Sequence, residues 1–356
     1  MHSTLTIALV TVLGVAVLAC RGGDSDDPGA VSDAVSDANP FFTESELPFS
    51  LPPFDRIEDR HYRPAFERGM ADHLGEIEAI ASADTSPTLE NTIIAMERSG
   101  RLLARVANVF FALSSADTND VLDEIETEVA PRLSAHNDAI LLNAQLFARV
   151  KTLYDARDTL DLDPETRRLV EKHYTDFVRA GAQLSDADKA QLTEINAELA
   201  TLETTFSQHV LDEVNAAAVI VDTRDALAGL SENQISAAGE AAAARDLEGR
   251  FVLPLLNTSG QPALASLENR ALRERIMAAS LARGTQGGEF DTRDHVTRMA
   301  KLRVERAQFL GYPTHAAYVL EQQTAQTVEA VTERLASLTP PAVANARREA
   351  ADLQAM

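Results

Sequence analysis

Eight histidines offer the first candidates for chemistry: His2, His61, His73, His136, His173, His209, His295 and His315. A helical zinc site needs two histidines four residues apart, so that both imidazoles leave one face and reach one metal at ~2.1 Å. No two of these have that spacing, and the sequence H-E-x-x-H does not occur. The densest local cluster is Asp291-Thr292-Arg293-Asp294-His295. Asp291 and His295 stand at i, i+4 and could share a metal, but an aspartate at a helix start more often caps it. No G-x-S-x-G turn is present to carry a serine nucleophile. Gly284, Gly287 and Gly288 form a glycine-rich stretch, but it follows a helical pattern and lacks the Lys-Ser or Lys-Thr of a phosphate loop, so it reads as a helix end and a connecting loop. His173 lies on an apolar helical face and reads as a core histidine, with Glu171 and Lys172 facing solvent. No catalytic residue and no metal ligand is assigned.

Composition narrows the classes. The chain has 356 residues, 45% of them hydrophobic, with 32 basic against 55 acidic side chains and a net charge of −23. Such a chain is repelled by phosphate backbones and by anionic lipid, so nucleic acid is not an expected partner. Trp is absent and aromatics make up 5%, which suits aliphatic packing between helices.

The N-terminus carries the clearest targeting signal. Leu5 to Leu18 is apolar apart from Thr6, Thr11 and Gly14, long enough for a signal-peptide core and too short for a mature span. It ends in Val17-Leu18-Ala19-Cys20, a lipoprotein-like pattern in which residues 1–19 are removed and Cys20 carries lipid. Cys20 is the only cysteine, so no intrachain disulfide can form. The n-region contains no Lys or Arg, which keeps open an ordinary cleaved signal with Cys20 incidental. Residues 20–38 are rich in Gly, Ser, Asp and Ala and read as a flexible tether. The expected location is the cell envelope, on the periplasmic side, with the membrane contacted only through the lipid.

The body, 39–356, reads as mainly α. Asn39 to Phe54, with four prolines, is expected to lie extended over the helices. Phe66, Met70, Leu74, Ile77 and Ile80 share one helical face, as do Leu102, Leu103, Val106, Val109, Phe110 and Leu113. Asp163-Pro164 opens a helix that turns Leu169, Val170, Tyr174 and Phe177 inward. Ser185 caps a long helix whose stripe Leu192, Ile195, Leu199, Leu202, Phe206, Val210 is nearly heptad, so it should pack lengthwise on a neighbour. Ala218–Val221 and Phe251–Leu253 read as strands, giving a small β element near residues 216–256. Between them Ser231 and Gln234 have capping-box spacing. Gly311 and Pro313 end the helix containing Leu302 and Leu310. Pro340 to Met356 has helical composition and no stop signal.

Several stretches resemble the thimet oligopeptidase and oligopeptidase A family of zinc metallopeptidases, and most closely its bacterial peptidyl-dipeptidase branch. They are Asn39-Pro40-Phe41-Phe42 with Leu47-Pro48, His61-Tyr62-Arg63-Pro64-Ala65-Phe66, Asn91-Thr92-Ile93, and Phe110-Phe111-Ala112 before Thr118-Asn119-Asp120. Pro254-Leu255-Leu256-Asn257-Thr258, Gln261-Pro262-Ala263-Leu264 and Leu310-Gly311-Tyr312-Pro313 follow in the same order. The resemblance implies the N-terminal lobe of a two-lobed helical fold around a channel that admits short peptides. It implies one zinc, held by H-E-x-x-H and a later glutamate, with the motif's own glutamate as general base, and release of C-terminal dipeptides. That motif would lie beyond Met356, so none of its residues can be carried onto this chain. The expectation is therefore part of a peptidase, inactive alone and lacking its C-terminal catalytic part. A different class remains open, a non-catalytic helical lipoprotein that binds peptides or a partner protein. A self-sufficient enzyme with an unrecognised site is a third.

Overall fold

The computed structural model describes residues 39–256 and 260–356. The signal segment 1–19, Cys20, the tether 20–38 and Asn257-Thr258 of the resemblance lie outside the described residues. What is described is mainly helical, with one two-stranded sheet.

The first helix, α1 (Tyr62–Ala81), buries Phe66, Met70, Ile77 and Ile80. Leu74, assigned to that face from spacing, is instead exposed. A π-helical turn at Leu89–Ile94 leads into the short α2 (Ala95–Arg98), then α3 (Arg101–Ala116) and α4 (Asp120–Leu141). These elements enclose two clusters. In one, Phe41, Tyr62, Phe66, Val106, Phe110 and Ile125 meet, with Tyr62 and Phe110 edge-to-face at 5.1 Å and Phe66 and Phe110 at 5.3 Å. In the other, Ile77 and Ile93 meet α5 (Ala144–Ala156) and α6 (Pro164–Ala180) through Leu146, Phe147, Val150, Val170 and Phe177. The expected cap is present: the Asp163 carboxylate accepts from Thr166 N at 2.9 Å.

The segment 39–54 is less extended than its prolines suggest. It makes 3-10 turns at Pro40–Phe42 and Pro48–Ser50. Asn39 bridges back to His61 O at 2.8 Å and Phe41 is buried, while Leu47, Phe49, Leu51 and Phe54 are exposed.

The long α7 (Asp186–Ala216), capped by Ser185 as its sequence indicates, is the spine of the second part. It lies along α4 in the opposite sense, since Asn196 meets Asp138 near one end and Gln208 meets Asp123 near the other. The strands β1 (Val219–Val221) and β2 (Phe251–Leu253) pair antiparallel, Ile220 opposite Val252. Between them α8 (Glu232–Ala243) opens with the Ser231/Gln234 capping box. The sheet, α8 and α10 (Arg270–Leu281) share a core of Val219, Val221, Leu227, Ile235, Leu253 and Ile276; the short α9 (Ala263–Ser266) precedes α10. Next, α11 (Arg293–Phe309) packs on α7 in the same direction, because Arg298 pairs with Glu198 and Arg303 with Glu203. Gly311 follows its end, and α12 (His315–Leu320) leads to α13 (Val328–Ala355). This last helix begins well before Pro340 and runs through Pro340 and Pro341. Both prolines are exposed, where water can satisfy the carbonyls that lose their amide partners. Among the described residues no helix is long and apolar enough to cross a membrane.

The helices α1 and α3 approach each other closely at Gly69. A Cβ on Gly69 would lie 2.9 Å from Leu103 Cα, whereas one on Gly75 in the same helix would meet nothing. Gly69→Ala should therefore cost ~1–3 kcal/mol by forcing the helices apart. Gly75→Ala should be neutral or stabilise by up to ~1 kcal/mol through helix propensity. Denaturant unfolding of the two variants checks this; equal effects would contradict the close approach.

Candidate functional site

The structure scatters the histidines that local spacing could not pair. His61 Nδ1 accepts from Glu58 N at 2.9 Å and closes a turn. His173 Nε2 meets Glu97 Oε1 at 2.8 Å, so it is a satisfied histidine on the packed face of α6. Burial lowers its pKa and Glu97 raises it, with burial the larger effect. Beside it Lys172 is exposed, but Glu171 is half-buried and pairs with Arg157 and Arg168. His2 lies outside the described residues.

Asp291 and His295 do not act together. The Asp291 carboxylate accepts from Arg293 N and Nε at 3.0 Å, from Arg293 Nη2 at 2.5 Å and from Gly287 N at 3.0 Å. These donors hold its pKa down to about 2, the Arg293 side chain first among them. Its lone pairs are committed to the start of α11. His295 turns instead to His209, edge-to-face with ring centroids 5.2 Å apart. The glycine stretch is a loop, as its composition suggests. Gly284 N donates to the buried Glu213 carboxylate, and a Cβ on Gly284 would lie 2.4 Å from Thr292 Oγ1. Among the described residues no group of three or more His, Cys, Asp or Glu is placed to hold a metal ion. With Asp291 saturated by its own helix start, these residues do not fit the zinc that the resemblance implies.

A second histidine pair, hydrogen-bonded ring to ring, joins positions 63 residues apart, too far for any local pattern to mark. His136 Nε2 of α4 lies 2.9 Å from His73 Nδ1 of α1. His73 Nε2 lies 3.1 Å from Ser99 Oγ, which donates to Met96 O at 2.7 Å. Ser99 therefore accepts, His73 carries its proton on Nε2, and His73 Nδ1 accepts from His136. That leaves His136 Nδ1 bare and buried without a hydrogen-bond partner. Gly100, pressed against the His73 ring, donates its N–H to Glu76 Oε2 at 2.7 Å. The chain ties α1, α4 and the α2–α3 turn together while His73 is neutral, because a proton on its Nδ1 would remove the acceptor that His136 Nε2 uses. Burial, then His73, lowers the His136 pKa to about 4, and burial lowers that of His73.

Other buried polar groups also hold elements. Arg149 reaches Ala83 O, Thr85 O and Asn91 Oδ1 at 3.0, 2.9 and 3.0 Å. Asp138 accepts from Asn196 at 3.0 and 3.1 Å, and burial raises its pKa. Arg179 on α6, itself buried, donates to Tyr312 OH at 3.1 Å and to Tyr318 O at 2.7 Å and pairs with Glu321.

Compared with known proteins, residues 263–356 match the model of Peptidase family M3. The dipeptidyl carboxypeptidase of Salmonella typhimurium is 43% identical over 316 residues, which is 89% of this chain and 46% of that protein. That of Escherichia coli is 42% identical over 318 residues, 89% and 47% respectively. This chain is similar to the family M3 peptidases. Oligopeptidase A of Haemophilus influenzae is further away, 28% identical over 309 residues. The chain spans about half the length of the curated relatives it matches.

The stretches that carry the M3 resemblance turn out to be scaffold. Asn39 and Phe41 anchor the start of the described body. Asn91 takes part in a capping box and Asn119 caps α4. Gln261 holds Leu256 by both its amide and its carbonyl, at 2.9 and 3.0 Å, and reaches Ser280 Oγ at 3.0 Å. Tyr312 joins Arg179 and Glu321.

The histidine pair yields a pH prediction. Its folded pKa values lie below the unfolded value near 6.5, so the stabilisation is complete above that value and is lost as pH falls toward 4. His136 alone should account for a loss on the order of 2 kcal/mol between pH 7 and pH 4.5. His136→Gln keeps a donor toward His73 and cannot titrate. Urea midpoints for both proteins at the two pH values should show a smaller loss in the variant, and equal losses would contradict the assignment.

Proposed function

We propose that this chain is the N-terminal part of a zinc-dependent peptidyl-dipeptidase, an enzyme that releases dipeptides from the C-terminal end of short peptides. The observation that carries this reading is the 42–43% identity to two dipeptidyl carboxypeptidases along 89% of the chain. It is supported by the fold, in which the matched stretches are the anchors and caps of one continuous helical body. The zinc and the general base belong to the part of such an enzyme that this sequence does not contain. The residues described here build the lobe and hold its helices in place.

The reading makes the chain inactive alone. The purified protein should leave a short peptide with a free C-terminus intact, with and without added zinc. Release of C-terminal dipeptides that stops on adding a chelator would overturn it.

The same proposal places the enzyme in the cell envelope as a lipoprotein, on the strength of the apolar run ending at Ala19-Cys20. Several acyl chains on one cysteine give stable anchoring where a single chain would not. Cells fed labelled palmitate should label the wild-type protein and leave Cys20→Ser unlabelled. An unlabelled wild type would mean an ordinary cleaved signal.

A further inference from the structure

His209 on α7 and His295 on α11 meet edge-to-face, with ring centroids 5.2 Å apart and planes at 80°. Phe290 closes one side, its ring centroid 6.0 Å from that of His209. The two rings are placed differently from the histidines that hold the fold. His61 closes a turn, His73 bonds His136 and Ser99, and His173 meets Glu97. His209 Nδ1 and His295 Nδ1 are both buried and have no hydrogen-bond partner.

A neutral imidazole carries one ring proton. With no acceptor at Nδ1, that proton belongs on Nε2, and Nδ1 keeps a bare lone pair. A buried lone pair without a donor is costly, and here two of them lie on adjoining rings. Neutral imidazole with a free lone pair is also the form that binds metal. The spacing suits one ion. A metal held tetrahedrally ~2.1 Å from one nitrogen of each ring sets the two ring centres about 5 Å apart.

The surroundings favour a cation. Asp212 stands one turn beyond His209 on α7. Burial first and then Asp123 push its pKa up, His209 pulls it down, and Asp120 and Glu289 push it up further. The charged groups around Asp212 are thus one histidine and three more carboxylates, two of them from the start of α4. A divalent ion on the histidines relieves that crowding.

We infer that His209 and His295 form a two-histidine site for a late first-row transition-metal ion, nickel(II) or copper(II), with water in the remaining positions. Imidazole donors suit these ions, and copper(II) binds them more tightly than zinc(II). Among the described residues no third His, Cys, Asp or Glu completes the site, so the ion exchanges freely and zinc is lost when free metal is removed. The site is separate from the zinc that the M3 resemblance implies, and it stands whether or not the chain is part of a peptidase.

The test titrates the full chain with nickel(II) alone near pH 7, followed by calorimetry and thermal melting. The wild type should bind one ion whose occupancy raises the melting temperature, because the ion holds the folded pairing of α7 with α11. His209→Gln and His295→Gln should each bind at least tenfold more weakly and lose that rise, each variant being compared with itself in metal-free buffer. His173→Gln, whose ring is engaged by Glu97, should bind as the wild type does. If a variant fails to fold, the wild-type chain decides by proton NMR: substoichiometric nickel(II) should broaden the ring signals of two histidines and no more. Absence of binding by the wild type overturns the inference, as does binding that either His209→Gln or His295→Gln retains, or broadening spread over all the histidines.

Discussion

The structure depends on the lengthwise packing of α7. Its stripe of Leu192, Ile195 and Leu199 is buried, and it touches α4 in one direction and α11 in the other. The polar pairs record the two directions, with Asn196 and Gln208 on the α4 side and Glu198 and Glu203 on the α11 side. Because α4 also packs on α1, and α1 on α3 and α5, the aromatic cluster around Phe66 and Phe110 is coupled through α7 to the helices that follow the sheet. A long helix with two different faces committed cannot slide without breaking both sets of pairs. This is how some three hundred residues with few aromatics and no cross-link hold one arrangement.

Burial of polar groups supplies the registration that aliphatic packing leaves vague. Leucine and alanine faces tolerate small shifts, but a neutral histidine pair, an arginine on three carbonyl-type acceptors and a carboxylate on an asparagine do not. His73–His136, Arg149 and Asp138–Asn196 each sit where two or more helices meet. They are structural groups, and the shifted pKa values of His73, His136 and Asp138 come mainly from loss of water. The same residue types in a cleft would have invited a catalytic reading; here each makes its hydrogen bonds to neighbouring helices and turns.

Much of the fold was legible in the sequence because its signals are local. Asp163-Pro164, Ser185 and Ser231 with Gln234 each lie within one helical turn of what they cap, and the two β-branched runs pair as strands. Leu74 shows the limit of spacing, since the outer edge of a helical stripe depends on whether a neighbour reaches it. The clamp on Arg179 and the pair of His73 with His136 were not legible, because each joins positions 63 to 142 residues apart and no local pattern marks such partners. The i, i+4 pair of Asp291 and His295 misleads for the converse reason. Its spacing is right for a ligand pair, but Arg293, two residues along, takes the carboxylate first.

The stretches that resemble M3 peptidases serve as scaffold, and among the described residues no group of three or more His, Cys, Asp or Glu is placed to hold a metal ion. Metal content of the purified chain tests that most directly. After dialysis against buffer with micromolar zinc and removal of free metal, elemental analysis should find far less than one zinc per chain. One tightly retained zinc per chain would mean that donors within this sequence converge on a site, and would contradict the assignment of these histidines and carboxylates to structural roles.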